Sequence, residues 1–374
     1  MVSADFGDLG NALYFLNGLA LSTPPLVLVP HTLPLAADVS GITPRHYVCL
    51  GDVTGPLEDF APDRVLLVSG YLLTIGPRLS VVNCWRLLRR LRRKGVPVAT
   101  TDPFLGLARR PLAIDFAPAL PTPEGGIRGV RAHLYPRYLA LRLYLFHLML
   151  RGRPHFYPAP LGAEPGRADT PVACYYNPIP PAAPPAEWRS QGSWLFVLAQ
   201  ADYQLQRRRY GERFEELLAR RLAEAADAGR AVQVIAPDGL RERLQARLRE
   251  HRDITVRGRA DYAEYISLLM SADCAFFWNW LSFSIIHRVI QGLPVLFFDR
   301  GHMMRILPRE GATALETFYL GWRPPLLDMG HPLSTDRISE LCEETVARFR
   351  RITRHMERCR KPRQLLEGLT PPSP

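Results

Sequence analysis

Five short apolar runs decide how the chain is read: WLFVLAQ (194–200), AVQVIAP (231–237), ITVR (254–257), CAFFW (274–278) and PVLFFD (294–299). They are mostly apolar, with ITVR alone alternating, so they read as strands of a sheet covered on both faces. Between them, 212–228, 239–251, 262–271 and 284–291 carry apolar residues at helical spacing. Strands alternating with helices over short connections imply parallel pairing, because each parallel crossover needs a helix to return over the sheet. The stretch 193–300 is therefore expected to form a Rossmann-like domain.

Working outward, the first half repeats the theme less regularly. Leu26–Val29, His46–Leu50, Arg64–Ser69 and Val96–Thr100 read as strands, with a short first strand over Met1–Asp5. Asn11–Leu21 reads as the first helix, after a Gly-containing turn, FGDLGN (6–11). Ser80–Lys94 reads as another helix, whose basic C-terminal end complements the helix dipole. Residues 155–190, rich in Pro, Gly and Ala and containing PIPPAAPP (178–185), read as a linker, since proline removes backbone donors. Thr335–Arg358 has the pattern of an amphipathic helix. The expected architecture is α/β: two Rossmann-like domains with a C-terminal amphipathic helix. The boundaries fall at 1–154 (first domain), 155–190 (linker), 191–334 (second domain) and 335–374 (helix and tail).

A chain of 374 residues suits two domains, and 47% hydrophobic with 22% charged residues excludes a disordered or fibrous protein. The formal net charge is +11, and because Lys94 and Lys361 are the only lysines the positive charge is almost all guanidinium. Arginine forks suit phosphate oxygens or an anionic surface, although a GC-rich genome supplies arginine, proline and alanine with no functional demand. No helix-turn-helix, RNP, KH or zinc pattern accompanies the charge, so no nucleic acid is expected as partner. The six cysteines form no CxxC pair, which argues against a zinc site or a disulfide framework and for a reducing compartment. With no signal-peptide pattern and no spanning apolar run, a cytoplasmic protein is expected.

Ligands of parallel sheets lie beyond the carboxyl ends of the strands, so the loops there hold the candidates. Arg207, Arg208 and Arg209 follow the first strand of the second half; Gly258, Arg259 and Tyr262 follow the third; Ser282, Ser284 and His287 follow the fourth; His302 follows the fifth. Serines at a helix start add donors to its free N–H groups and suit a phosphate, or one of them is simply the N-cap.

The stretch ADYAEYISLLMSADCAFFWNWLSFSIIHRVIQGLPVLFFDRGHM (260–303) resembles the nucleotide-sugar-binding half of GT-B glycosyltransferases and the related nucleotide-sugar 2-epimerases. Ser271, Ala272 and Asp273 match a small-Ala-Asp helix ending, and Gly292, Leu293, Pro294 and Val295 match a Gly-x-Pro-hydrophobic strand entry. The resemblance implies two Rossmann-like domains facing across a cleft, with the acceptor on 1–154 and the nucleotide sugar on 191–334, and a transferase using a nucleotide-diphosphate sugar as co-substrate, a UDP-sugar first among these, with no separate cofactor and no metal. It departs from the pattern at His287, where the family commonly has an acidic residue on the donor ribose, and the glutamate pair of one retaining class is replaced by Asn279 and His287. An inverting reaction is therefore expected.

Inversion needs a base for the acceptor hydroxyl and positive charge for the departing diphosphate. Asp8 and Asp102 in the first half are the candidate bases; Asp8 also reads as a helix cap, and Asp102 as part of a turn. Alternatives within the same fold are a nucleotide-sugar epimerase or hydrolase, or a non-catalytic nucleotide-sugar-binding protein. The segment Arg137–Arg153 (RYLALRLYLFHLMLRGR) joins an apolar stripe to flanking arginines, which suits either peripheral membrane contact or a core helix with solvated ends.

Overall fold

The computed structural model describes residues 6–17, 19, 21–31, 42–69, 79–101, 111–117, 128–160, 172–177, 192–258, 260 and 262–369; the side chains of 6–8, 43, 44, 111, 128–133, 172 and 263 lie outside it. The second half forms a five-stranded parallel sheet from β7 (Ser193–Val197), β8 (Ala231–Ile235), β9 (Ile254–Arg257), β10 (Cys274–Phe277) and β11 (Val295–Phe297), in the order β11-β10-β7-β8-β9. Register pairs Trp194 with Val232 on one side and with Cys274 on the other.

Alternate residues of β7 go to opposite faces, as the period of two requires. Trp194 and Phe196 enter one buried cluster with Phe276 and Phe298, and Leu195 enters the other with Ala275 and Phe277. Phe196 and Phe276 stack at 4.4 Å between ring centroids. Each such buried aromatic contributes roughly 1.5–3 kcal/mol of burial. This double covering is why the strands are mostly apolar; Gln233 of β8 and Thr255 and Arg257 of β9, at the edge of the sheet, are exceptions within it.

In the first half, β3 (Val65–Leu67), β4 (Val98–Thr100), β5 (His155–Tyr157) and β6 (Val172–Cys174) form a four-stranded parallel sheet, and β1 (Leu26–Pro30) pairs with β2 (Thr43–Tyr47). The helices around them are α1 (Phe6–Leu16), α2 (Leu50–Phe60), α3 (Val81–Arg93) and α4 (Arg128–Leu150). Ser80 caps α3 by accepting from the Asn83 N–H at 3.1 Å. Three sequence expectations change here. FGDLGN is the first part of α1 and not a turn. The second strand is Thr43–Tyr47, and Leu50 opens α2. Residues 155–157 and 172–174 of the expected linker belong to the sheet as β5 and β6, with Phe156 and, directly after β6, Tyr175 buried, because three-residue strands fit between the prolines. PIPPAAPP and the stretch Met1–Asp5 lie outside the described residues.

The second half continues with α5 (Gln200–Tyr210), α6 (Arg213–Asp227), α7 (Asp238–Arg247), α8 (Tyr262–Ser271), α9 (Phe283–Ile290), α10 (Met303–Ile306) and α11 (Pro308–Thr317). Then α12 (Thr335–Met356) lays Ile338, Leu341, Thr345, Phe349, Ile352 and Met356 inward. The chain next crosses back: Arg360 bridges to Tyr175, and α13 (Pro362–Glu367) buries Leu365 beside Phe156 and Tyr175. The two halves also meet where α1 packs on α9, with Tyr14 edge-on to Phe283 at 5.4 Å. A Cβ on Gly10 would lie 3.2 Å from both Phe283 Cδ1 and Tyr262 Cε2, so any larger residue would press on the two rings.

Candidate active site

The crossovers of the second sheet diverge between β7 and β10, and such a switch point is where parallel α/β sheets open a crevice. There the structure places a carboxylate. Asp202, in the first turn of α5, is fully buried. Its Oδ2 accepts from Asn279 Nδ2 at 3.0 Å, two residues past β10. Its Oδ1 accepts from the backbone N–H of His302 at 2.9 Å and stands 2.8 Å from His302 Nδ1. One side chain thus joins the loops that follow β7, β10 and β11.

Because a carboxylate accepts, the proton of the neutral imidazole is placed on Nδ1, and Nε2 keeps its lone pair. The His302 side chain is 21% exposed against 0% for Asp202. A buried carboxylate behind a partly open imidazole is the geometry of an oriented base. Asn279 Oδ1 is buried with no hydrogen-bond partner among the described residues, which leaves an acceptor beside the pair.

One turn further along α5, Gln206 Nε2 donates to Asp299 Oδ2 at 2.9 Å. Arg305 donates to both Asp299 oxygens at 2.8 and 3.3 Å, the Gly301 N–H donates at 3.0 Å, and Arg209 stands 3.7 Å away. Burial alone would raise the Asp299 carboxyl, but the bonds from Arg305, Gln206 and Gly301 outweigh it and hold it below the usual range. The Arg209 and Arg305 side chains are 59% and 38% exposed beside this anchor; Asp299 occupies the Arg305 fork, whereas Arg209 stands off at 3.7 Å with more of its side chain open to an anion.

Of the residues singled out in the sequence, this constellation contains His302 and Arg209. Arg207 turns to the buried Glu215 at 3.4 Å, and Arg208 donates to Ala117 O of the first half at 2.9 Å. Ser282 is the N-cap of α9, accepting from the Ile285 N–H at 3.4 Å, while Ser284 Oγ lies 2.5 Å from Tyr265 OH, whose pKa burial pushes up to about 12. Gly258 packs on the start of α7, where a Cβ would lie 2.7 Å from Arg241 Nη1. Tyr262 joins Leu9 and Val27 at the contact of the halves, and burial raises its hydroxyl pKa. His287 sits at the same contact, between Tyr14 and Phe283, with burial lowering its pKa to about 4. Arg259 and Asp102 lie outside the described residues, and Asp8 is described only by its backbone in the first turn of α1.

The matched motifs have structural work. Asp273 accepts from the Ser193 N–H at 2.5 Å and so fixes the start of β7. Gly292 takes φ +64° after α9, and the turn lets the buried Arg288 reach Pro294 O at 2.7 Å. Asp202 and Asn279 were not anticipated as a pair; the signal available was an acid five residues beyond a fully buried strand. Among the described residues, no group of three or more His, Cys, Asp or Glu gathers as for a metal, and no helix is long and apolar enough to cross a membrane.

Two Rossmann-like sheets with a tail that crosses back between them match solved structures over nearly the whole chain. The spinosyn forosaminyltransferase SpnP aligns over 98% of this chain and 96% of its own, at 14% identity and a TM-score of 0.53. The chain has the GT-B fold. A second GT-B structure, Phytolacca americana UGT2 solved with UDP-2-fluoro-glucose and pterostilbene, aligns over 98% and 97%, at 13% identity and a TM-score of 0.51. At these identities the likeness concerns the fold alone. No protein-family model matches the sequence, and no curated protein does.

Proposed function

We propose that the chain is a glycosyltransferase that moves a sugar from a nucleotide-diphosphate sugar to an acceptor hydroxyl, with inversion and without a metal. The observation that carries this reading is the Asp202–Asn279–His302 constellation at the switch point, next to exposed guanidiniums anchored on Asp299. The diphosphate lies against Arg209 and Arg305, and the acceptor oxygen attacks the anomeric carbon as the bond to the diphosphate breaks. The hydroxyl proton passes to His302 Nε2, and Asp202 stabilises the imidazolium. Asp8 and Asp102 on the other half are the competing positions for the base. UDP-sugars are the first donors to try.

Because His302 belongs to the same half as the proposed donor loops, the geometry also suits water or the donor sugar itself as the reacting partner, which is hydrolase or epimerase chemistry. A thermal-shift screen with UDP, dTDP, GDP, CDP and ADP tests donor binding, since a ligand of the native state raises Tm by mass action. A rise with one diphosphate is expected. No rise with any of them rejects the reading. Incubating the donor without acceptor then separates transfer from hydrolysis and epimerisation by the product formed.

A further inference from the structure

α4 is apolar on two opposite faces. Leu139, Leu143, Phe146 and Leu150 are buried against the first sheet, whereas Leu134, Tyr138, Leu141, Leu145 and Leu148 are 38–58% exposed. The exposed five follow one another at intervals of four, three, four and three residues, which aligns them in a single stripe about 20 Å long. A second apolar stripe on a helix normally faces another core or lipid, and this helix has a core on one side only.

Charge identifies what covers the other side. α3 carries five arginines, α4 carries four, and neither has an acidic residue. Arg142 ties the two helices together: its Nη2 donates to Leu79 O at 3.2 Å, and its guanidinium lies over the Tyr138 ring at 5.4 Å. The N-terminal end of α3, with exposed Val82 and with Trp85 under Arg89, is thereby held at the edge of the stripe. A second copy of the chain would present the same cationic rim and repel it. Leucines, an exposed Trp and Tyr, and arginines on both flanks match a helix lying in the headgroup layer of an anionic bilayer.

We propose that the α3–α4 face of the first half docks on an anionic lipid surface, with the Leu134–Leu148 stripe in the acyl boundary and the surrounding arginines on the headgroups. This deepens the transferase reading, because Met303 and Ile306, directly after His302, share a core with Leu143 and Phe146 on the inner side of α4. Docking thus holds the candidate base one helix layer away from the lipid. An acceptor with its own hydrocarbon anchor would be presented there.

Vesicle flotation of the full chain tests it, with phosphatidylcholine alone or mixed with phosphatidylglycerol. The expected result is flotation with the anionic vesicles, weakened by high salt, and lost by about tenfold or more in the L141E/L145E variant. Both positions point outward, and an unchanged melting curve shows that the variant is folded. R86S/R89S, with the stripe intact, should weaken binding to anionic vesicles and leave the small neutral-vesicle partition unchanged. Equal binding to both vesicle types, no binding to either, or flotation that survives L141E/L145E overturns the proposal. So does light scattering that shows a dimer dissolved by the same variant, since a second copy would then be the occupant. Nucleoside-diphosphate binding on the same samples reports separately on the transferase reading, because docking needs no donor.

Discussion

Asp202 and His302 are separated by 100 positions in sequence, yet a carboxylate oxygen of the first stands 2.8 Å from Nδ1 of the second. The same oxygen accepts the His302 backbone N–H, so both the ring and the chain that carries it are fixed by one acceptor. Asp202→Asn keeps the size and an acceptor oxygen but removes the negative charge that stabilises the imidazolium, and its NH₂ competes with the Asn279 amide that donates to Oδ2. Transfer is expected to fall by about 10²–10⁴-fold, the range general base catalysis supplies. His302→Gln should fall by a similar factor, and D202N/H302Q by little more than either alone. Nucleotide binding, read by thermal shift, should stay within about twofold of the parent. If D202N transfers at the parental rate, the base lies on the first half.

Gly301 is held at φ +87°, and a Cβ there would stand 2.3 Å from Asn279 Cβ and 2.7 Å from Asn279 Cα. Gly301→Ala therefore forces the loops after β10 and β11 apart, at about 2–4 kcal/mol. Gly292→Ala is the control: it has a similar positive φ of +64° and nothing within 4 Å, so backbone strain of about 1–2 kcal/mol is its whole cost. Thermal melts of the two should differ in that order. Only G301A should also lose activity at temperatures where it is folded, because Asn279 is displaced from Asp202.

Arg288 is a buried cation that serves the fold. Its guanidinium donates to the carbonyls of Leu269, Ala272, Asp273 and Pro294 at 2.7, 2.6, 3.3 and 2.7 Å, tying the end of α8 to the entry of β11. Burial lowers its pKa to about 10, which still leaves it charged at neutral pH. Arg288→Met fills the space and leaves four carbonyls without their donor, a loss of about 3–5 kcal/mol. Arg288→Lys keeps a charge but cannot span both pairs and should fall between. Denaturant titration measures both. A loss under about 1 kcal/mol for R288M would mean that water replaces the guanidinium.

The strands of the second half were legible because helices cover both faces, which makes most of their positions apolar. α5 was not, and the site was lost with it. Its inward positions include Asp202 and Gln206, which bond to Asn279 and Asp299, so a helix packed on a polar site shows no apolar period. The arginines at its end drew notice in the sequence, whereas the carboxylate at its start has partners 77 and 100 residues away that no local spacing encodes. Gly10 misled in the opposite way: it resembles turn punctuation, but its role is to let Phe283 and Tyr262 approach a helix. β5 and β6 were hidden because three residues give too little pattern to outweigh the prolines nearby. Of the two serines after β10, Ser282 is simply the N-cap, since its hydroxyl is occupied by its own helix.

His287 gives stability a specific pH dependence. It is buried between Tyr14 of α1 and Phe283 of α9, at 5.8 and 4.5 Å between ring centroids, with Nε2 unpaired among the described residues. Desolvation lowers its pKa from 6.5 to about 4. A lowered histidine pKa means that the unfolded chain takes up the proton first as pH falls. The native contact is therefore fully stable above pH 6.5 and loses stability from there down to about pH 4. By linkage the loss is about 2 kcal/mol at pH 5. His287→Phe should leave Tm at pH 8 within a few degrees of the parent and flatten the fall between pH 6.5 and 4. The two proteins are compared by thermal melts across that window. Parallel Tm–pH curves would show that the histidine is already protonated in the native contact, and that acid opens the halves through other groups.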